Sequence, residues 1–333
     1  MKTIGVELRH GYAREVATNN ATIAVLVRRP REHDFAEVFH AAYDDFAGAL
    51  RAIDEPALAV VAIDEARGKV AGILRLSARP GRLTGGVLGR HGCCDLYVDG
   101  DESMSLRQLA VLAGPARSWR RGVADLGYRL VDLRTGTGFS DENGRQLLAV
   151  RCEGTAFFRC GELALLMLVA GDPSDWPRRA ADAWSMIPER VFFDERAAGA
   201  AVRLVAPAPF DGRRTLVTAV RPPRLMHEPA GGGEPVGTLQ IAGTSIEIGE
   251  EALREGVLVG RYPRCTGAEL VDEQGVSRTH LLVIALDGRV CALDTGSTNG
   301  TWRDGARVRL VELRDGSQLR LGYDTTVTWR ARG

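Results

Sequence analysis

The chain has 333 residues, 45% hydrophobic and 26% charged, with 43 basic side chains against 43 acidic ones. That length accommodates two compact domains, and the charge balance sets up no global field toward nucleic acid or an anionic membrane surface. Six cysteines without a C-x-x-C pair are too sparse for a disulfide scaffold.

The longest apolar run, Leu163 to Ala170, is far short of a membrane span, and the first twenty residues lack the apolar core of a signal peptide. A reduced, cytoplasmic protein is expected, with neither nucleic acid nor membrane as partner.

In chain order, residues 1–69 are expected to form a helix-and-strand region, and residues 1–63 resemble no family. Asp34 to Ile53 places Phe35, Val38, Phe39, Ala42, Phe46, Leu50 and Ile53 on one helical stripe. Leu58 to Ile63 and Val70 to Leu76 then predict a hairpin across Glu65-Ala66-Arg67-Gly68. After Gly171, Ser174 or Asp175 is expected to cap a helix from about Pro177 to Ile187, with Trp176 and Trp184 on one face. Ala201 to Ala206 and Thr215 to Val220 are strand candidates flanking Asp211-Gly212.

The clearest boundary is Pro222 to Gly237, where four prolines and four glycines fall within sixteen residues. Beyond it lie short β-rich segments and no helical pattern: 238–242, 245–248, 256–259, 281–285, 290–293, 318–321 and 326–329. Asp287-Gly288, Asp304-Gly305 and Asp315-Gly316 supply turns between several of them. An all-β sandwich of about a hundred residues follows.

Three polar signals fall in order within that last segment. Gly260-Arg261 follows an apolar strand, Ser277-Arg278-Thr279-His280 leads into one, and Ser297-Thr298-Asn299-Gly300 leads out of one. Each puts polar groups on a loop between strands, where function concentrates. Arg261 and Arg278 offer planar, permanently charged forks suited to phosphate oxygens. Ser277 and Thr298 add hydroxyls, and the Asn299 amide both donates and accepts. No nucleophile with its base, metal-ligand set or phosphate-cradling glycine loop accompanies them, so a binding protein is expected, with no catalytic residue, cofactor or metal.

This ordered set resembles the forkhead-associated (FHA) domain, with its Gly-Arg, Ser-x-x-His and Ser-x-Asn-Gly signals. The resemblance covers about residues 237–331 and implies a sandwich of about eleven strands with its ligand loops at one end. It implies that Arg261, Ser277 and Arg278 hold the phosphate of a phosphothreonine. Thr298 would lie beside the phosphate and the threonine methyl, and Asn299 would grip the peptide main chain. Gly260, His280 and Gly300 would stabilise the loops. Arg264 is read as a solvated surface residue.

Upstream, residues 70–171 look like an eroded copy of the same domain. Gly86-Val87-Leu88-Gly89-Arg90 mirrors the strand ending in Arg261, and Ser105-Leu106-Arg107-Gln108 mirrors Ser277 to His280. Leu130-Val131-Asp132 mirrors Ala292 to Asp294, although the turn after it can be aligned in two ways one residue apart. Leu106 replaces an arginine, Gln108 the histidine, and Thr137 stands where asparagine would grip peptide. Arg90, Ser105 and Arg107 remain as phosphate-binding types, but packing or protein contact is the favoured role for this copy.

The expected architecture is mainly β. It comprises residues 1–69, an eroded FHA-like sandwich at 70–171, a short helix and strands at 172–221 packing on that half, a linker at 222–236, and an FHA domain at 237–333. The expected function is a phosphothreonine-binding adaptor whose partner is a Ser/Thr kinase or its substrate. The alternative is a scaffold that uses its eroded half for phosphorylation-independent contacts. His91-Gly92-Cys93-Cys94-Asp95 is set aside as a metal site, because adjacent cysteines do not easily chelate one tetrahedral ion; burial of both thiols at a strand start is expected. His10, His33, His40 and His227 are read as ordinary surface or satisfied positions, and Asp44-Asp45 as a solvated helix face.

Overall fold

The computed structural model describes residues 13–18, 21–26, 34–99, 101–120, 123–133, 135–195, 214–222, 235–263, 265–271 and 274–332. The strand candidate at 201–206, most of the linker, Arg264, and the histidines at 10, 33 and 227 lie outside these residues.

The architecture is mainly β, as the sequence implies, and is built as five stacked layers. Helix α1 (Phe35–Arg51) forms the outermost layer, capped by the Asp34 carboxylate at the Ala36 amide. Its predicted stripe is buried throughout, with Tyr43 and Ala47 added. Beneath it lies a sheet in the order 146–147, 139–140, 156–160, 163–170, 57–64, 69–77. The next sheet runs 189–194, 214–219, 149–153, 127–132, 109–113, 84–89, 96–97. A third sheet follows, ordered 257–259, 281–286, 289–294, 310–312. The last is ordered 244–249, 235–241, 325–331, 318–321, 301–303, 306–308.

This stacking explains why several strands read as unbroken apolar runs: each of their faces is covered. Side chains alternate along a strand, so Leu58, Val60 and Ala62 fill the first sandwich while Ala59, Val61 and Ile63 meet α1. Leu109 and Val111 likewise face that sandwich's interior, and Ala110 and Leu112 face outward. Across the gap, Leu281 and Val283 fill the second sandwich while Leu282 and Ile284 face the first. The inner sheets therefore bury each other's outer faces in one apolar seam that includes Val131, Ala149, Leu258 and Leu293.

Polar contacts edge this seam. Arg129, buried, donates to the carbonyls of Arg254 and Glu255. Burial pulls its pKa down to about 10, with the neighbouring Arg151 adding to the effect. Arg289 reaches the Gly81 carbonyl at 2.9 Å, and the Arg309 guanidinium holds Asp95, with Nε at 2.9 Å.

The two sandwiches are copies of one plan. Their six-stranded sheets have corresponding orders, from 146–147 through 69–77 in one and from 306–308 through 244–249 in the other. Residues 57–64, ahead of the 70–171 span assigned to the eroded copy, provide the strand that pairs with Leu163–Ala170, just as Pro235–Ile241 pairs with Thr325–Ala331. Left out, they would leave the long apolar strand 163–170 with an open edge.

Elsewhere the structure corrects local expectations. The helix after Gly171 begins only at Ala180 (α2, Ala180–Met186), with Arg179 at its N-cap. Asp172 instead caps a single 3-10 turn at Pro173–Asp175. The Trp176 and Pro177 carbonyls are engaged by Arg51 and Tyr43 of α1, which keeps that stretch out of the helix. Trp176 and Trp184 consequently share no helix face, although Trp184 stacks on Phe157 at 5.4 Å. A six-residue helix, α3 (Glu250–Glu255), sits in the last domain, where no helical pattern was legible. Of the adjacent thiols, Cys94 is buried and Cys93 only half-buried, and both precede the strand Leu96–Tyr97 on a loop. Ten strands, with a bridge between Val259 and Thr266, form the second sandwich among the described residues. No helix among the described residues is long and apolar enough to cross a membrane.

Candidate functional site

At one end of the second sandwich three loops are laced together. The Arg261 amide donates to the Ser277 carbonyl (3.1 Å), and the Tyr262 amide donates to that of Arg278 (2.9 Å). The Arg261 side chain folds back so that Nε meets the Val276 carbonyl at 2.6 Å, which leaves the outer guanidinium nitrogens for a ligand. From the third loop, the Thr298 amide donates to Ser277 Oγ (3.3 Å) and Asn299 Nδ2 to the Gly275 carbonyl (2.9 Å). Arg261, Ser277, Arg278, Thr298 and Asn299 thus come together. Arg261, Arg278 and Thr298 are exposed, Asn299 is half-buried, and Ser277 lies just below the surface.

The support beneath is buried and polar. His280 Nδ1 accepts the Ser277 amide at 3.0 Å, which leaves Nε2 to carry the proton toward the Gly300 carbonyl at 3.2 Å. Asp294 organises the turn that carries Thr298 and Asn299. One carboxylate oxygen accepts the amides of Gly296 (2.9 Å) and Ser297 (2.7 Å), and the other accepts the hydroxyls of Ser297 and Thr301. Burial opposes its ionisation, but the Ser297 and Thr301 hydrogen bonds and nearby His280 outweigh that and hold the carboxyl below its ordinary value.

Gly260 is needed for close approach. A Cβ there would press into the backbone of Ser277 and Arg278. Gly260→Ala is expected to displace this loop, costing about 1–3 kcal/mol of stability and at least about tenfold in ligand affinity. Thermal unfolding and ligand titration of the variant check both.

The first sandwich repeats this framework almost bond for bond. Arg90 Nε meets the Met104 carbonyl at 2.6 Å, as Arg261 meets Val276. Cys94 Sγ points to the Leu106 carbonyl, as Cys265 Sγ does to Arg278. Asp132 binds the amide and hydroxyl of Thr135 as Asp294 binds those of Ser297, which fixes the turn alignment and sets Thr137 opposite Asn299. Gln108 is a functional substitute for the histidine. Its Oε1 accepts the Ser105 amide at 2.8 Å, while the two hydrogens of Nε2 are shared among Asp132, Thr135 and Thr137, all within hydrogen-bond reach. An amide carries an acceptor and a donor at its tip just as a neutral imidazole does across its ring. What this copy lacks is surface chemistry: Leu106, exposed, stands where Arg278 stands in the other.

Two contacts at the second site escaped sequence reasoning. The Tyr323 hydroxyl donates to Asn299 Oδ1 at 3.3 Å from a largely exposed ring. Arg107 crosses from the first sandwich, its Nε donating to the Gly296 carbonyl at 2.7 Å and its Nη2 to Thr298 Oγ1 at 3.4 Å. By sequence, Arg107 belongs with its own copy's loops, in Ser105-Leu106-Arg107-Gln108. Nothing local signals a contact across 189 positions.

The FHA domain family matches residues 257–322. Among solved structures, FHA-1 of Mycobacterium tuberculosis Rv1747 is 28% identical, over 30% of this chain and 100% of that one, at a TM-score of 0.27. A domain from a study of phosphothreonine-dependent FHA interactions is 26% identical, over 29% of this chain and 97% of its own, at a TM-score of 0.25. The FhaA FHA domain, solved with the intracellular domain of Rv3910, is 27% identical, over 28% and 99% respectively, at a TM-score of 0.24. No curated protein matches the chain. With its strand order, its laced loops and this family match, the segment 257–322 is a forkhead-associated domain, a binding module rather than a catalytic one.

Proposed function

We propose that the second sandwich binds a phosphothreonine-containing segment of another protein, and that the chain acts as a cytoplasmic adaptor without a catalytic step of its own. The observation that carries this reading is the meeting of two exposed arginines with the Ser277 and Thr298 hydroxyls and the Asn299 amide on one laced set of loops. A phosphorylated hydroxyl brings about −1.5 to −2 charges and three strong acceptors. Arg261 and Arg278 supply the charge, and Ser277 supplies a hydroxyl next to them. Thr298 lies against the threonine methyl and Asn299 against the peptide backbone. Two or three charge-assisted bonds of about 1.5–3 kcal/mol each, with backbone contacts, support micromolar affinity, about 8 kcal/mol. The partner is a Ser/Thr kinase, its substrate, or a phosphorylated tail in an assembly.

Calorimetric titration of the full chain with a phosphothreonine peptide library and its dephosphorylated counterparts tests this reading. Binding should require the phosphate and weaken below about pH 6, where the second phosphate charge is lost. Equal binding of both peptide forms would refute it. The scaffold reading draws on Leu106, an exposed apolar residue in place of an arginine on the first sandwich's loops. Partners retained after phosphatase treatment would favour that reading.

A further inference from the structure

Arg107 belongs to the first sandwich, yet its guanidinium ends at the loop of the second that carries Thr298 and Asn299. Two of its five donors are used, one by the Gly296 carbonyl and one by Thr298 Oγ1. Neither acceptor is charged, and no carboxylate among the described residues pairs with it. The acid beside it, Asp294, is buried and already engaged by Gly296, Ser297, Thr301 and Arg309. Burial of the Arg107 stem holds its pKa below the ordinary arginine value, an effect that nearby Cys94, Cys93 and Asp294 offset only in part. A half-buried cation without a counter-ion is unfavourable until an anion arrives. The contact to Thr298 lies in an exposed setting, so a ligand bound across Thr298 passes within reach.

We propose that Arg107 is a specificity-determining residue of this site and takes a second anionic group of the ligand, carried beside the phosphothreonine. The proposal rests on the phosphothreonine reading above. The site is accordingly composite: one sandwich supplies Arg261, Ser277 and Arg278, and the other supplies the cation that reads a flanking position. The eroded copy lost its own arginine at position 106 but contributes the next residue to its neighbour.

The test uses the full chain and peptides in which one Asp, or in a second arm one phosphoserine, is walked along positions flanking a phosphothreonine. Wild type is expected to favour the extra anion at one or two positions by about fivefold, the upper range for a partly exposed ion pair. That ratio should fall toward one in Arg107→Ala and be largely kept in Arg107→Lys. A gain with phosphoserine but none with Asp still supports the proposal and identifies the anion as a second phosphate. An affinity loss in Arg107→Ala that is equal for neutral and acidic peptides would make Arg107 a brace for the turn and overturn the proposal. So would a wild type that binds phosphothreonine peptides with no flanking preference. Failure of wild type to bind any phosphothreonine peptide is a different result and defeats the parent reading itself.

Discussion

Replacing Arg261 or Ser277 by alanine is expected to lower phosphopeptide affinity by about 10- to 150-fold for each charge-assisted bond removed, with the two effects not additive. Arg261 is exposed and its internal bond is to a single carbonyl, so its loss leaves the sandwich standing. Ser277 is nearly buried and its hydroxyl accepts the Thr298 amide, so its loss also loosens the turn opposite. Titration of both variants, alongside their unfolding midpoints, separates the two contributions. Arg261→Ala should bind poorly at unchanged stability, whereas Ser277→Ala should show both defects. Wild-type affinity in Arg261→Ala would remove the phosphate from this site.

Asp294→Ala is expected to cost about 3–5 kcal/mol of stability, the usual penalty for breaking a buried charged network from one side. The carboxylate collects two amides, two hydroxyls and Arg309 Nη1 at 3.1 Å, and its removal strands all of them. Urea unfolding of the variant measures the loss. The pH dependence has a definite sign. Because the folded carboxyl lies below its ordinary value, the unfolded chain takes up the proton first. The stabilisation is complete above the unfolded value, about 3.9, and disappears as pH falls through the folded one. Asp294→Asn should lack this component of the acid-side decline.

Much of the second domain was legible because its turns are spelled in residues with few alternatives. Asp287 and Gly288 take positive φ values of 53° and 73°, the left-handed pair that an Asp-Gly hairpin turn predicts. The loop residues were legible because arginine, serine, histidine and asparagine recur there at family spacing. Gln108 was harder, since sequence comparison scores it as a loss while its hydrogen bonds preserve the role of the histidine. The short helix α3 and the true start of α2 depend on tertiary partners, Leu253 under the sheet and Tyr43 at Pro177. Arg107 was beyond reach for a plainer reason. Which surface of one sandwich meets the other is settled by the alternate face of continuous apolar strands, and sequence shows that such strands are covered without naming what covers them.

The seam between the inner sheets bears on how this protein is to be handled. Cutting within the proline- and glycine-rich stretch would lay Leu258, Leu282, Ile284 and Leu293 open to water, a contiguous strip of the sort that makes fragments stick to one another. The same cut would remove the guanidinium that donates to the Gly296 carbonyl. An excised C-terminal fragment is therefore a different object from the intact chain, prone to self-association and without the Arg107 contacts to Gly296 and Thr298.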